Sequence, residues 1–424
     1  MAFFILIILA LLGTPLFVII AASALMGFHS AEIDLSVVAI EFYRLAEMPI
    51  LLAIPLFTFA GYLLSESKAP QRLVSVTQTL LGWMPGGLAI VALFACALFT
   101  AFTGASGVTI IALGALLYPA LMQAGYRENF NLGLITSSGS LGVLFAPSLP
   151  LILYGIVSQQ LGVGEPFSID ELFLAGILPG LLMIFALSIW SIRQGYKLPT
   201  QTFSTPKLLT AIRGAIWEIP LPFIVLGGIY SGYFAVSEAA AVTALYVLIV
   251  EVFIYREIKL TQLPKIMRDS MILVGAIMII LGVSLASTNY LIDAEIPTQI
   301  FDTIQEHIDS PLAFLLALNV FLLILGTMLD IFSAIVIMTP ILLPIAAGYG
   351  VHPIHLGIIF LANMQIGYFT PPVGMNLFIA SYRFKKPILQ LYAATFPYFI
   401  ILLITVLIIT YWPALSLTLV EMAK

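Results

Sequence analysis

Two passages decide the fold: F-T-G-A-S-G (102–107) with G-S-L-G-V-L-F-A-P-S-L-P (139–150), and G-T-M-L-D-I-F-S (326–333) with N-M-Q-I-G-Y-F-T-P-P-V-G-M-N (363–376). The second pair repeats the first at an offset of 225 residues, so that Pro119 matches Pro344, Gly125 Gly350, Gly142 Gly367 and Pro147 Pro372. Each copy puts Gly, Pro and small polar residues where a membrane helix should run unbroken. Irregular backbone at membrane depth survives only where it is buried in protein or lines a cavity. Matching interruptions in two halves are the sequence pointer to a transporter binding site.

The composition agrees with a bilayer environment. The chain is 61 % hydrophobic and 9 % charged, with a mean hydropathy of +1.13, whereas soluble domains carry about 25 % charged residues. Runs at 3–27, 172–192, 219–235, 239–255, 270–291, 311–329 and 388–412 approach or exceed the roughly 20 apolar residues that cross a bilayer. The run 3–27 lacks a basic n-region and is too long for a signal peptide. Cys96 is the single cysteine, which excludes disulfide frameworks and Cys-based metal sites. His29, His307, His352 and His355 all read as loop residues, so no transition-metal site is expected.

Fourteen of the sixteen Lys and Arg fall into five clusters: Lys68 and Arg72; Arg127; Arg193, Lys197, Lys207 and Arg213; Arg256, Lys259, Lys265 and Arg268; and Arg383, Lys385 and Lys386. The intervening loops are acidic or neutral, and the positive-inside rule places the clusters in the cytoplasm. The first motif pair then leaves from and returns to the cytoplasm, while the second does so outside, so the copies are inverted. The expected architecture is an all-α polytopic membrane protein. Residues 1–195 form the first inverted repeat, with a cytoplasmic-side re-entrant hairpin near 88–120 and a broken helix over 131–158. Residues 196–218 form a polar cytoplasmic linker. Residues 219–424 form the second repeat, with an outer-side hairpin near 311–345 and a broken helix over 356–382. Glu41, Arg44 and Glu47 recur at three-residue spacing, as on a helix lying at the interface.

A broken helix frees backbone carbonyls, which suit a hard cation, and exposes N–H groups at half-helix N-termini, which suit a carboxylate. Candidate cation ligands are Thr103, Ser106 and the carbonyls over Gly142, Phe145 and Pro147 in the first copy, and Gly326, Asp330, Gly367, Thr370 and Val373 in the second. Ser138, Ser140, Asn363, Gln365 and Asn376 are candidate substrate contacts. Asp330, a carboxylate in an apolar run, reads as a cation ligand or as a cap at the hairpin tip; Asn319 and Glu238 read as structural. G-A-S-G (104–107) looks like the nucleophile loop of rhomboid proteases, but that chemistry needs a histidine on a neighbouring membrane helix, and no enzyme activity is expected.

The chain resembles the large membrane (M, DctM-like) subunit of a tripartite ATP-independent periplasmic (TRAP) transporter. The likeness spans its whole length and rests on G-T-P-L-F (13–17), P-L-F-T-F-A-G (55–61), F-T-G-A-S-G, and G-Y-F-T-P-P-V-G-M-N-L-F (367–378). The resemblance implies an ion-transporter-superfamily elevator with a static scaffold, in the bacterial inner membrane. It also implies sodium as the coupling ion at the cation positions named above, and an organic-acid substrate of the C4-dicarboxylate or sialic acid type. The implied partners are a periplasmic substrate-binding protein and a small four-helix membrane subunit, expected as a separate chain because this one opens at the large subunit's first helix. No nucleic-acid partner is implied. The competing expectations are a stand-alone sodium/carboxylate symporter or antiporter of the same superfamily, and a non-transporting membrane scaffold.

Overall fold

A computed structural model describes residues 6, 8, 9, 12–198 and 202–423. The first half runs through α1 (Leu16–Ser30), α2 (Ser36–Ala46), α3 (Ala53–Glu66), α4 (Ala69–Leu81), α5 (Gly87–Thr103), α6 (Ser106–Gln123), α7 (Glu128–Ser138), α8 (Leu149–Leu161) and α9 (Ile169–Gly195). The second runs through α10 (Thr205–Gly214), α11 (Pro220–Tyr230), α12 (Val236–Leu248), α13 (Leu263–Asp293), α14 (Ile296–Gln305), α15 (Pro311–Met328), α16 (Ile331–Gly348), α17 (Pro353–Gly367), α18 (Met375–Phe384), α19 (Ile388–Tyr411) and α20 (Ala414–Ala423). Among the described residues all regular structure is helical. Eight helical stretches are long and apolar enough to cross a membrane, and α7 with α8 makes a ninth, bent by 41° at its break.

The offset seen in the sequence reappears in the helix boundaries. α6 starts at Ser106 and α16 at Ile331, both 18 residues long; α7 starts at Glu128 and α17 at Pro353. α5 and α6 are joined by two residues, as are α15 and α16, so the outer ends of each hairpin lie on one side. The two tips are built differently. Gly104 ends α5 in the left-handed region at φ 65°, where a side chain is disfavoured. At the matching tip Leu329 is extended, and Asp330 caps α16 by accepting from the Ser333 N–H at 3.0 Å.

Each broken helix parts where Gly and Pro interrupt the ladder. The first separates α7 from α8 with a short 3₁₀ turn over Leu141–Leu144, and the second separates α17 from α18 over residues 368–374. All fifteen residues of α17 are buried, Asn363 and Gln365 included, so α17 is the axis of the core and not a lipid-facing span. α6 packs on α18, and α16 packs on α8, so each hairpin grips the far half of the other repeat's broken helix.

Several expectations are revised. His355 lies buried in α17, its ring nitrogens 3.1 Å from Ser416 Oγ and 3.1 Å from the Thr410 carbonyl, and His29 sits in the last turn of α1; neither is a loop residue. The linker contains a helix, α10, and the run 219–235 contains only the 11-residue α11. α2 is helical, but Glu41 is buried and pairs with Arg44 at 3.0 Å while Ile40 and Tyr43 are exposed, so its acidic residue faces protein and not water. Glu238, by contrast, is structural as expected, accepting from the Ala235 N–H at 2.9 Å to cap α12.

One ion cluster ties the halves together on the side of the basic loops. Arg72, on α4, pairs with Glu218, with Glu257 at 2.7 Å and with Glu251 at 3.2 Å. Its guanidinium also lies 4.0 Å from the centre of the Tyr255 ring, within cation–π range. Burial works against the charged guanidinium, but the carboxylates of Glu218 and Glu251 and the hydrogen bond to Glu257 hold its pKa above the ordinary arginine value. Glu251 is fully buried, so three carboxylates converge on one cation. α14, the counterpart of α4 in the second half, shows no ion pair among its described residues.

Candidate functional site

The two hairpin tips and the two interruptions converge in the core. Glycine makes this possible by letting main chain touch main chain, as in close membrane helix packing. A Cβ at Gly142 would collide with the Ala97 carbonyl oxygen and the Ala101 nitrogen of α5. A Cβ at Gly367 would lie 2.5 Å from the Gly326 carbonyl carbon and Cα of α15. Ala101 and Gly326 are themselves 225 residues apart, so the same seam is built twice. Gly61 makes a third: its Cβ would lie 2.6 Å from Thr103 Cα, which explains a glycine in P-L-F-T-F-A-G at the first tip.

Polar contacts join the halves across these seams. Ser106 donates to Asn376 Oδ1 at 2.7 Å, and Asn376 Nδ2 donates to the Thr136 carbonyl at 3.3 Å. Ser140 donates to the Gln365 carbonyl at 3.1 Å. Ser140 and Gln365 are equivalent positions of the repeat, and two equivalent residues touch only near the axis that relates the halves. At the second tip the Ile331 N–H donates to the Tyr368 hydroxyl at 2.6 Å, and the Gly374 N–H donates to the Thr327 carbonyl at 3.0 Å. At the first, Thr100 donates to the Gly139 carbonyl at 2.8 Å and lies 2.6 Å from Thr109 Oγ1.

The candidate residues divide accordingly. Thr103, Ser106, Ser138, Ser140 and Gly142 are buried around the first interruption, with Pro147, while the Phe145 ring packs on Gly180 and lines an apolar cavity of about 180 Å³ with Leu181 and Tyr230. Phe145 therefore has only its carbonyl to offer. Gly326, Gly367 and Asn376 are buried at the second interruption; Thr370 is half-buried, its hydroxyl donating to the Ile366 carbonyl at 2.8 Å, and the Val373 side chain is 42 % exposed. Both Asp330 oxygens are engaged by Ser333, one by its N–H and one by its hydroxyl, which is the capping role. Asn363 donates to Asn319 Oδ1 at 2.7 Å, an oxygen that Thr410 also reaches at 3.1 Å, so its amide N–H serves a structural network between α15, α17 and α19.

Buried polar atoms are ordinarily hydrogen-bonded, but three in this set, Thr103 Oγ1, Asn363 Oδ1 and Gln365 Oε1, have no protein partner, and neither does Ser148 Oγ beside Pro147. Oxygens with free lone pairs beside interrupted backbone can bind a hard cation. No group of three or more His, Cys, Asp or Glu that could hold a metal ion occurs among the described residues. Ser106 has no histidine base: His355 is committed to Ser416 and Thr410. Sequence reading missed Tyr368, Thr136, Thr100 and Gly61. Tyr368 and Gly61 lie inside quoted motifs, whereas Thr100 and Thr136 carry no signal beyond being hydroxyls in apolar runs.

The comparisons with known proteins match this architecture. The solved structure of the Alcanivorax borkumensis YdaH transporter superposes with a TM-score of 0.65 at 14 % identity, over 90 % of this chain and 88 % of that one, which shows the shared fold. The C4-dicarboxylate TRAP transporter large permease protein DctM of Pseudomonas aeruginosa is 38 % identical, over 90 % of this chain and 88 % of the relative. The isethionate TRAP transporter permease protein DctMQ of Oleidesulfovibrio alaskensis is 35 % identical, over 94 % of this chain and 62 % of that longer protein. Residues 1–415 match the family described as tripartite ATP-independent periplasmic transporter, DctM component. The chain belongs to that family: it is the large permease subunit of a TRAP transporter, a multi-pass protein of the bacterial inner membrane.

Proposed function

We propose that this permease imports a small organic anion by sodium-coupled elevator transport, receiving the substrate from a periplasmic binding protein and working beside a small membrane subunit. The observation that carries the reading is the interlock of both hairpin tips with both interruptions, which makes one compact unit around buried oxygens without protein partners. In this reading sodium is cargo. Thr103 Oγ1 and the carbonyls released around Gly142–Pro147 offer one set of oxygens, and Gly326, Gly367, Thr370 and Val373 offer the other through carbonyls. Asp330 contributes by capping α16 and by its charge at the tip.

Although two relatives are named for ectoine, the substrate reading rests on those named for anions. One is named for C4-dicarboxylates and another for isethionate, a sulfonate; both are small anions, which half-helix N-termini and small polar side chains suit. Ser140, Gln365 and Asn376 are the side chains proposed to meet the anion, with Ser138 and Asn363 behind them. The small subunit is proposed as a separate chain, although one relative carries both in a single polypeptide.

The test is uptake into proteoliposomes holding this chain, its small subunit and the periplasmic protein, with labelled C4-dicarboxylate or isethionate. Uptake that requires an inward sodium gradient and vanishes with choline is the expected result. Equal uptake in choline overturns sodium coupling, and sodium-driven uptake by this chain alone overturns the tripartite reading.

A further inference from the structure

α10 is built the wrong way round for a helix on a water-facing surface. None of its residues is buried. The face carrying its Lys207 and Thr210, with the small residues Pro206, Ala211 and Gly214, turns toward α4, where it lines a cleft of about 500 Å³ with Arg72, Ser75 and Thr79. The opposite face points away from the protein. Leu209 is 50 % exposed, Ile212 37 % and Ile216, just past the helix, 54 %. At 100° per residue these three share one side with Leu208. A helix that shows polar groups to its own protein and hydrocarbon outward is stable only if the outside is apolar.

The location and charge identify that outside. α9, a helix long enough to span the membrane, ends at Gly195, and Glu218 just before the apolar α11 pairs with Arg72, so both ends of the linker lie on the side of the basic loops. No acidic residue occurs between Glu171 and Glu218, while Arg193, Lys197, Lys207 and Arg213 do. Basic residues flanking an apolar face, with Trp217 at the end, fit the interface of an anionic leaflet. Arg72 is already committed to three glutamates, and the Thr79 and Thr210 hydroxyls donate to main-chain carbonyls, which leaves Lys207 and the Ser75 hydroxyl as the donors in the cleft for a headgroup phosphate.

We propose that α10 lies in the cytoplasmic leaflet with its Leu209–Ile212–Ile216 face among acyl chains, and that the cleft between α10 and α4 takes the headgroup of an anionic phospholipid. The bilayer is favoured over a protein partner by the absence of acidic residues from 172 to 217 and by the membrane-length α9 that leads into the linker.

Spin labels at Leu209→Cys and Ile212→Cys, each on a Cys96→Ala background in vesicles of phosphatidylethanolamine and phosphatidylglycerol, test the placement. Collision with oxygen and protection from a water-soluble nickel reagent is the expected result. Access of the nickel reagent overturns the proposal, and so does shielding from both reagents, which would mean that protein covers the face. Native mass spectrometry tests the headgroup. Phosphatidylglycerol should stay with the wild-type protein and be lost from a Lys207→Glu/Arg213→Glu variant whose melting temperature is unchanged. Equal retention by both, or none by either, overturns the anionic-lipid assignment.

Discussion

The two interruptions follow one plan but end in different surroundings. The first, residues 139–148, is enclosed: apart from the half-exposed Phe145 and Ala146, every residue from Gly139 to Pro150 is buried. The second is open on one side, where Pro371, Pro372 and Val373 are exposed next to Met328 at 69 % and Phe378 at 51 %. The supports differ as well. The first hairpin is backed by α4, which Arg72 clamps to three glutamates of the second half, and its tip turns on Gly104. The second hairpin is backed by α14 without a clamp, and its tip depends on a carboxylate cap. A repeat duplicated in sequence has thus become one braced half-site and one accessible half-site. The two half-sites therefore differ in bracing and in exposure, although the contacts across the seams hold both tips together.

Removing the clamp should erase this difference most forcefully. Arg72→Ala leaves three converging carboxylates, Glu251 fully buried among them, and stranding a buried charge costs about 3–5 kcal/mol. A large fall in melting temperature is expected, with increased proteolysis in the 65–85 region. An unchanged melting curve would mean that the clamp does not brace the first half. Arg72→Lys should recover only part of the loss, because the compact ammonium lacks the planar, spread donors of a guanidinium and its stacking on Tyr255.

The glycine seams give a sharper comparison with a smaller effect. Gly142→Ala and Gly367→Ala both drive a methyl into main chain, and overpacking costs about 1–3 kcal/mol. Gly142 is enclosed and has no room to retreat, whereas the second hairpin can yield toward the open side. The Gly142 variant should therefore melt lower than the Gly367 variant. The reverse order would remove the distinction between a sealed and an open half. The smallest effect belongs to Asp330. Asp330→Ala should cost about 1 kcal/mol as a lost cap, and Asp330→Asn should restore that stability, since an amide oxygen still accepts from Ser333. If stability recovers but the sodium dependence of uptake does not, the charge at the tip acts on the cation; recovery of both leaves capping as the whole role.

The backbone plan was legible in the sequence because it is written in residues with few structural meanings. Glycine and proline at fixed offsets marked both interruptions, and α6 and α16, α7 and α17 start at that same offset. Side-chain roles were less legible. Asp330 with Ser333 three residues on is a capping pattern, yet the apolar run around it made a cation ligand the more conspicuous reading. His355 looked like a loop residue because G-Y-G-V-H-P precedes it, although a proline at the first helical position starts a helix. Arg72 counted only as a topology marker, since nothing local shows that its three partners lie 146 to 185 residues away.

The main-chain seams at Gly142 and Gly367 also limit how this protein can diversify. A contact made of backbone penalises every substitution that adds a side chain, so those walls change only at a cost in stability. Variation in cargo has to be written at the few hydroxyl and amide positions beside the seams, or handed to another polypeptide. A frame so resistant to drift at its centre can be paired with many delivery proteins while its own core stays the same.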